Sequence, residues 1–106
     1  MNMVKIFKAL GNETRLNILF WLKEPEKNFE PKMHITVATD FPGGVCVQSI
    51  QKKSNWSQST ISNFLSSLEE VGLLESKKIN QYTYFRRNEK VINEIKEWIR
   101  LEIWSW

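Results

Sequence analysis

Cysteine and histidine are almost missing from this chain of 106 residues: each occurs once, as Cys46 and His34. A single cysteine excludes an internal disulfide and fits a reducing compartment. One thiolate and one imidazole do not complete a tetrahedral soft-metal site without carboxylates or a second subunit, so no metal is expected. No apolar run approaches a membrane span, and the N-terminus lacks the hydrophobic stretch of a signal peptide. The expectation is a cytoplasmic protein with no membrane partner. There is no internal repeat, no low-complexity tract and no glycine-rich phosphate loop. No Ser/His/Asp or Cys/His pairing can be placed either, so the chain is expected to carry no catalytic residue, no cofactor and no enzyme activity.

What is present is ordinary globular material, 42% hydrophobic and 25% charged. The length suits one domain, residues 1–106, with a modest core. The net charge is only +3, but it is unevenly spread: residues 46–90 carry seven Lys and Arg against four Glu. An anionic partner would require such a local excess.

That basic region surrounds Ser57–Gly72, SQSTISNFLSSLEEVG. Ser57 is placed to cap a helix and Gly72 to end one. Ile61, Leu65 and Leu68, flanked by Phe64 and Val71, fall on one helical face. The opposite face is Gln58, Ser59, Ser62, Asn63, Ser66 and Ser67, short, polar and uncharged. Water-facing helix surfaces usually carry Lys and Glu, which favour helix, whereas Ser and Asn cost propensity. A face kept short suits close approach, as to a DNA major groove, where amides and hydroxyls read base edges.

Upstream, Met3–Leu10 reads as a short amphipathic helix broken by Gly11. Asn12 can cap a second helix to about Lys23, with Leu16, Leu19, Phe20 and Leu22 as its core stripe. Arg15 is unfavourable near a helix start, which predicts a specific partner for its guanidinium. Pro25 ends that helix. Glu26–Gly44 is irregular, with MHITVAT as an extended segment inside it. Val45–Lys53 returns to helical spacing, and Ser54–Asn55–Trp56 makes a tight turn into the Ser57 helix. Helix, short turn and polar-edged helix form the helix-turn-helix pattern over about 45–72.

Beyond Gly72, Leu73–Lys78 and Tyr82–Arg87 read as a β-hairpin over about 73–87, with Ile79–Asn80–Gln81 between the strands and Asn80 left-handed. Alternation puts Tyr82, Tyr84 and Arg86 on one face, and Thr83, Phe85 and Arg87 on the other. Asn88 then caps a last helix, about 88–106, whose apolar stripe is too wide for a lone surface helix. That width predicts burial against a second subunit. The fold class is mainly α with a small β-hairpin.

Two helices, a turn and a basic hairpin make a winged helix-turn-helix, and here the sequence resembles the ArsR/SmtB family of bacterial repressors. FKALGNETRLNIL at Phe7–Leu19 is similar to that family's leading motif. WSQSTISNFLSSLEEVGLL at Trp56–Leu74 is similar to its recognition-helix motif, and KKINQYTYFRR to its wing. The resemblance spans about residues 4–88. It implies a homodimer formed through the first and last helices, binding an inverted repeat in double-stranded DNA and blocking transcription until an inducer, not identified by the sequence, releases it. Residue by residue, it places Ser57, Gln58, Ser59, Thr60, Ser62 and Asn63 against DNA, with Lys77, Lys78 and Gln81 on the wing. Ser57 is assigned mainly to capping, and Gln58 and Asn63 carry the amides for bidentate adenine contact. Arg86 is the further basic candidate; it and Arg87 point to opposite faces, so only one of them is expected to meet phosphate. The dimer contacts expected are Val4, Phe7, Ile95, Trp98, Ile99 and Trp104. Phe64 and Ser66 depart from the pattern, standing where a polar or basic residue is common, and the Pro25–Gly44 insert is longer than usual.

Many family members sense metal through a Cys-Val-Cys motif, but here Gln48 replaces the second cysteine after Cys46. A second family site uses Asp, His and Glu on the last helix, where this chain has Glu94, Glu97 and Glu102 but no histidine. Metal sensing by the usual sites is therefore not expected. Cys46 reads as a small buried hydrophobe at a helix start, with thiol-based redox sensing as the alternative. Trp21 and Trp56 read as core, and Trp98, Trp104 and Trp106 as packing. The competing function is a winged helix repurposed for protein contact, suggested by the uncharged helix face and the apolar last helix.

Overall fold

The computed structural model describes residues 1–30 and 41–104. MHITVAT, His34 and Trp106 lie outside them. Among the described residues, six helices and three strands follow in the order α1 (Met3–Leu10), α2 (Glu13–Lys23), α3 (Pro25–Asn28), β1 (Val45–Cys46), α4 (Val47–Ser54), α5 (Gln58–Glu70), β2 (Leu74–Ile79), β3 (Tyr82–Arg87) and α6 (Glu89–Glu102).

Short polar side chains set the helix starts, because the first backbone N–H groups of a helix have no partner within it. The Asn2 side chain accepts from Lys5 N, Asn12 from Arg15 N at 2.9 Å, and Asn88 from Val91 N at 3.3 Å. Arg15 finds the partner its position demanded. Its Nε donates to Ala9 O at 2.6 Å and its Nη2 to Lys8 O at 3.3 Å, closing the carbonyl end of α1. That end carries the negative pole of the helix, so the guanidinium serves α1 while standing on α2.

The core lies under α5. Ile61, Leu65 and Leu68 are fully buried, packed with Ile6, Ile18, Leu19, Leu22, Val45, Ile50, Leu73, Leu74, Phe85 and Ile95. Each such side chain removed from water contributes about 1.5–3 kcal/mol before the cost of ordering it. On α2 the stripe is Ile18, Leu19 and Leu22; Leu16 is only half-buried and Phe20 is 62% exposed. Leu19 and Leu22 of the expected stripe are buried, but Ile18 takes the place of Leu16 and Phe20, because Ile18–Leu22 is a continuous apolar run in which periodicity singles out no face.

The sheet also departs from a bare hairpin. Val45 and Cys46 form a third strand, antiparallel to β3, with Val45 opposite Phe85 and Cys46 opposite Tyr84, giving the order β1-β3-β2. The helix expected from Val45 therefore starts at Val47. Two residues are too few for alternation to show, and the neighbouring Val47 and Ile50 carry helical spacing on their own. In the hairpin, β2 runs to Ile79 and pairs it with Tyr82, so the turn is the two residues Asn80–Gln81. Asn80 has φ 57°, the left-handed geometry a tight hairpin needs.

Candidate nucleic-acid interface

A tightly bonded turn joins α4 to α5. Asn55 takes φ 63° and its N–H donates to Gln51 O at 3.2 Å, while the Gln51 amide donates to Trp56 O at 2.9 Å. Ser54 Oγ donates to Gln51 O at 2.8 Å and accepts from Trp56 N at 3.2 Å. Ser57 then caps α5 by accepting from Thr60 N at 3.2 Å, and its hydroxyl donates to Thr60 Oγ1 at 2.8 Å. The Ser57 and Thr60 hydroxyls thus serve the helix start first.

The residues left facing outward are Gln58, Ser59, Asn63 and Ser66, all exposed, with Ser62 half-buried beside them. They lie across α5 from Ile61, Leu65 and Leu68, so burying the apolar stripe is what aims the amides and hydroxyls at solvent. At its far end α5 closes on Gly72, φ 88°, with Leu73 N donating to Leu68 O at 3.0 Å and Gly72 N to Glu69 O at 2.9 Å. This paired closure sends the chain directly into β2. Ser76 Oγ, on β2, donates to Glu69 Oε2 at 2.6 Å, which fastens the hairpin to α5. The helix and the wing are thus joined both through the chain and by this side-chain bond.

On the wing, Lys78 and Gln81 are exposed and Lys77 is half-buried. Arg86 is engaged within the chain. Its Nε pairs with Glu75 Oε1 at 2.7 Å, its Nη1 donates to Pro42 O at 3.2 Å, and its guanidinium lies 4.1 Å from the Phe41 ring centre. Arg87 pairs with Glu89 at 2.8 Å and donates to Leu19 O at 3.4 Å. Both arginines, expected to supply one phosphate contact between them, hold the base of the wing to neighbouring segments. Sequence alternation gave their faces but not the acidic partners on β2 and α6.

Trp56, expected in the core, is 48% exposed. Its ring meets Phe64 edge-on at 6.2 Å and its Nε1–H donates to Thr14 Oγ1 at 3.2 Å. Trp21 is half-buried against the core, with the Lys53 ammonium 5.4 Å from its ring centre.

Of the dimer candidates, Val4 and Trp104 are 65% exposed, Phe7 is 38% exposed, and Trp98 and Ile99 are half-buried. Phe7 and Trp98 touch, ring centres 6.0 Å apart, which joins α1 and α6 into one apolar face. Leu101 and Ile103, at the end of α6, are also 61% and 57% exposed. Ile95 is different: at 6% exposure it belongs to the core of its own chain.

Cys46 is fully buried and its thiol donates to Gln48 Oε1. Beside it on the paired strand, partial burial pushes the Tyr84 hydroxyl above the ordinary tyrosine pKa, and the neighbouring Cys46 and Tyr82 add to the shift. Among the described residues no three His, Cys, Asp or Glu gather to hold a metal, and no helix is long and apolar enough to cross a membrane.

No family model matches the chain. Over 103 residues it is 42% identical to the uncharacterized HTH-type transcriptional regulator YbzH of Bacillus subtilis, covering 97% of this chain and 100% of that one. Among solved structures, it is similar to the homodimeric winged helix-turn-helix DNA-binding domain Mb0332 of Mycobacterium bovis, a possible ArsR-family regulator, with a TM-score of 0.65 and 21% identity. That likeness covers 93% of this chain and 75% of the other. An ArsR-like transcriptional regulator from Rhodococcus sp. RHA1 gives a TM-score of 0.66 at 20% identity, over 92% and 73% of the two chains.

Proposed function

Because the chain belongs to the HTH-type transcriptional regulators and carries the winged helix-turn-helix fold of ArsR-type proteins, we propose that it acts as a dimeric cytoplasmic repressor that reads an inverted repeat in duplex DNA. The carrying observation is the outward face of α5, uncharged and short, fixed opposite a fully buried stripe and bolted to the wing. Gln58 and Asn63 read base edges, with Ser59 and Ser62 between them. Ser57 and Thr60 shape the helix start and bring its positive end to a phosphate. Lys77, Lys78 and Gln81 hold the wing to the backbone of the duplex, adding affinity without sequence preference. Arg86 contributes by bracing the wing rather than by direct contact, since Glu75 already offsets its charge.

Two copies pair through α1 and α6, covering Val4, Phe7, Trp98, Ile99 and Trp104. This pairing accounts for the exposed apolar face that would otherwise favour a protein-contact module. The action is binding, not turnover, with no cofactor and no metal. Burial and hydrogen bonding of Cys46 favour a structural thiol over a redox switch, because reactive cysteines need exposure.

The test is equilibrium binding to duplexes from the chain's own upstream DNA across a salt series. Affinity for one duplex should fall steeply with salt and exceed that for scrambled duplex by about 10³-fold or more. Equal, weak binding to every duplex would reject the reading.

A further inference from the structure

One contact set ties the far end of α1 to the middle of α5. Phe64 lies on α5 about two turns beyond its capped start, half-buried against the core. Arg15 Cζ stands 5.6 Å from the Phe64 ring centre, inside the range where a guanidinium is drawn to an aromatic ring. The same guanidinium holds Ala9 O and Lys8 O at the end of α1. The Phe64 ring also receives Trp56, edge-on at 80°, and Trp56 is pinned by Thr14 from α2 and by Gln51 from α4. Through these two neighbours the ring on α5 is linked to α1, α2 and α4.

Resting on the reading of α5 as the DNA-reading helix, we propose that Phe64, in contact with both Arg15 and Trp56, is the positioning residue that sets how α5 is presented to bases, and that Arg15 links this setting to α1. The chemistry follows from geometry. Helix α5 is held along one buried stripe, which decides the face it turns outward but leaves its last few degrees of rotation to contacts at the edge of that stripe. A ring at the edge of that stripe, in contact with Arg15 and with Trp56, restricts that remaining rotation. A small rotation would swing Gln58 and Asn63 together off their hydrogen-bonding directions, while phosphate attraction, which is long-ranged, would change little. Arg15 is suited to the link because its planar fork reaches two carbonyls and a ring face at once; lysine has no such fork.

Duplexes selected from a random pool by the wild-type protein supply the preferred sequence, and a scrambled duplex the reference. Phe64→Leu keeps apolar volume and removes the ring; Arg15→Lys keeps the charge and removes the fork. Each should remain folded in urea titration and lose about tenfold in the ratio of preferred to scrambled affinity, with scrambled affinity unchanged. Phe64→Tyr should restore the wild-type ratio. The double variant should lose no more than the worse single one, as residues acting through one contact do. A folded Phe64→Leu with the wild-type ratio, equal losses on both duplexes, or losses that multiply in the double variant would each overturn the proposal. Should Phe64→Leu fail to fold, Arg15→Lys carries the same comparison alone. If the wild-type protein itself selects no duplex, the DNA reading fails and this proposal with it, an outcome visible before any variant is made.

Discussion

Asn63→Ala separates what the outward face of α5 does for folding from what it does for recognition. Asn63 is exposed, and its backbone carbonyl, not its side chain, accepts the Ser67 hydroxyl at 3.0 Å. Alanine keeps that backbone bond and is the better helix former, so the variant should be more stable by about 0.5 kcal/mol. The urea midpoint should therefore rise slightly with the slope unchanged. Recognition should move the other way. A bidentate amide-to-adenine pair contributes about 1–3 kcal/mol of discrimination, so each copy should lose about 5- to 150-fold against its preferred duplex. Binding to scrambled duplex should stay at wild type, since no charge is removed. Anisotropy titrations on the two duplexes, run beside the urea curves, give all three numbers. A variant that loses stability and affinity together would refute this division of labour, as would one that keeps its discrimination.

Further consequences follow from single positions. Gly72 sits at φ 88°, yet a Cβ there would meet the Val91 methyls only at an ordinary 3.7 Å. Gly72→Ala should therefore cost only the left-handed backbone, about 1–2 kcal/mol, read as a fall in Tm; a neutral result would show that this closure of α5 is not strained. Cys46 should label with a thiol reagent at least about 10³-fold more slowly in native buffer than in urea, and mild oxidant should leave DNA binding intact; rapid native labelling would revive the redox alternative. Because the folded Tyr84 hydroxyl ionises above the ordinary value of 10.0, its contribution to stability is complete below that pH and is lost as pH rises past it. Tyr84→Phe should flatten that alkaline loss, and an identical decline in both proteins would contradict the assignment.

The legible parts of the sequence were those where a local rule acts alone. Asn12, Ser57 and Asn88 cap the helices they precede, Asn80 turns the hairpin, and Ile61, Leu65 and Leu68 form the buried stripe of α5. Arg15 was legible as a conflict: a cation at the positive end of a helix needs a partner, and α1 provides it. What escaped was decided by contacts distant in sequence. Two residues at Val45–Cys46 become a strand only because β3 offers its edge. Phe20 and Trp56 are as apolar as the core residues, and only packing decides which large side chains stay outside. The sequence offers Arg86 or Arg87 for a single phosphate contact, and the carboxylates paired with them, Glu75 and Glu89, come from β2 and the start of α6. The outward residues of α5 could be named in advance because burying the opposite stripe leaves a helix one orientation.

Site-directed cleavage of DNA tests the central claim most directly. Cys46 is fully buried, so a cysteine placed at the exposed Ser66 position can be labelled selectively with an iron chelate that cuts DNA. Ser66→Cys so labelled should cut a selected duplex in two clusters, related by a dyad and about one helical turn, 10 base pairs, apart. Cutting spread evenly along the duplex, or no stronger than from the same probe at Glu102 on α6, would contradict the account.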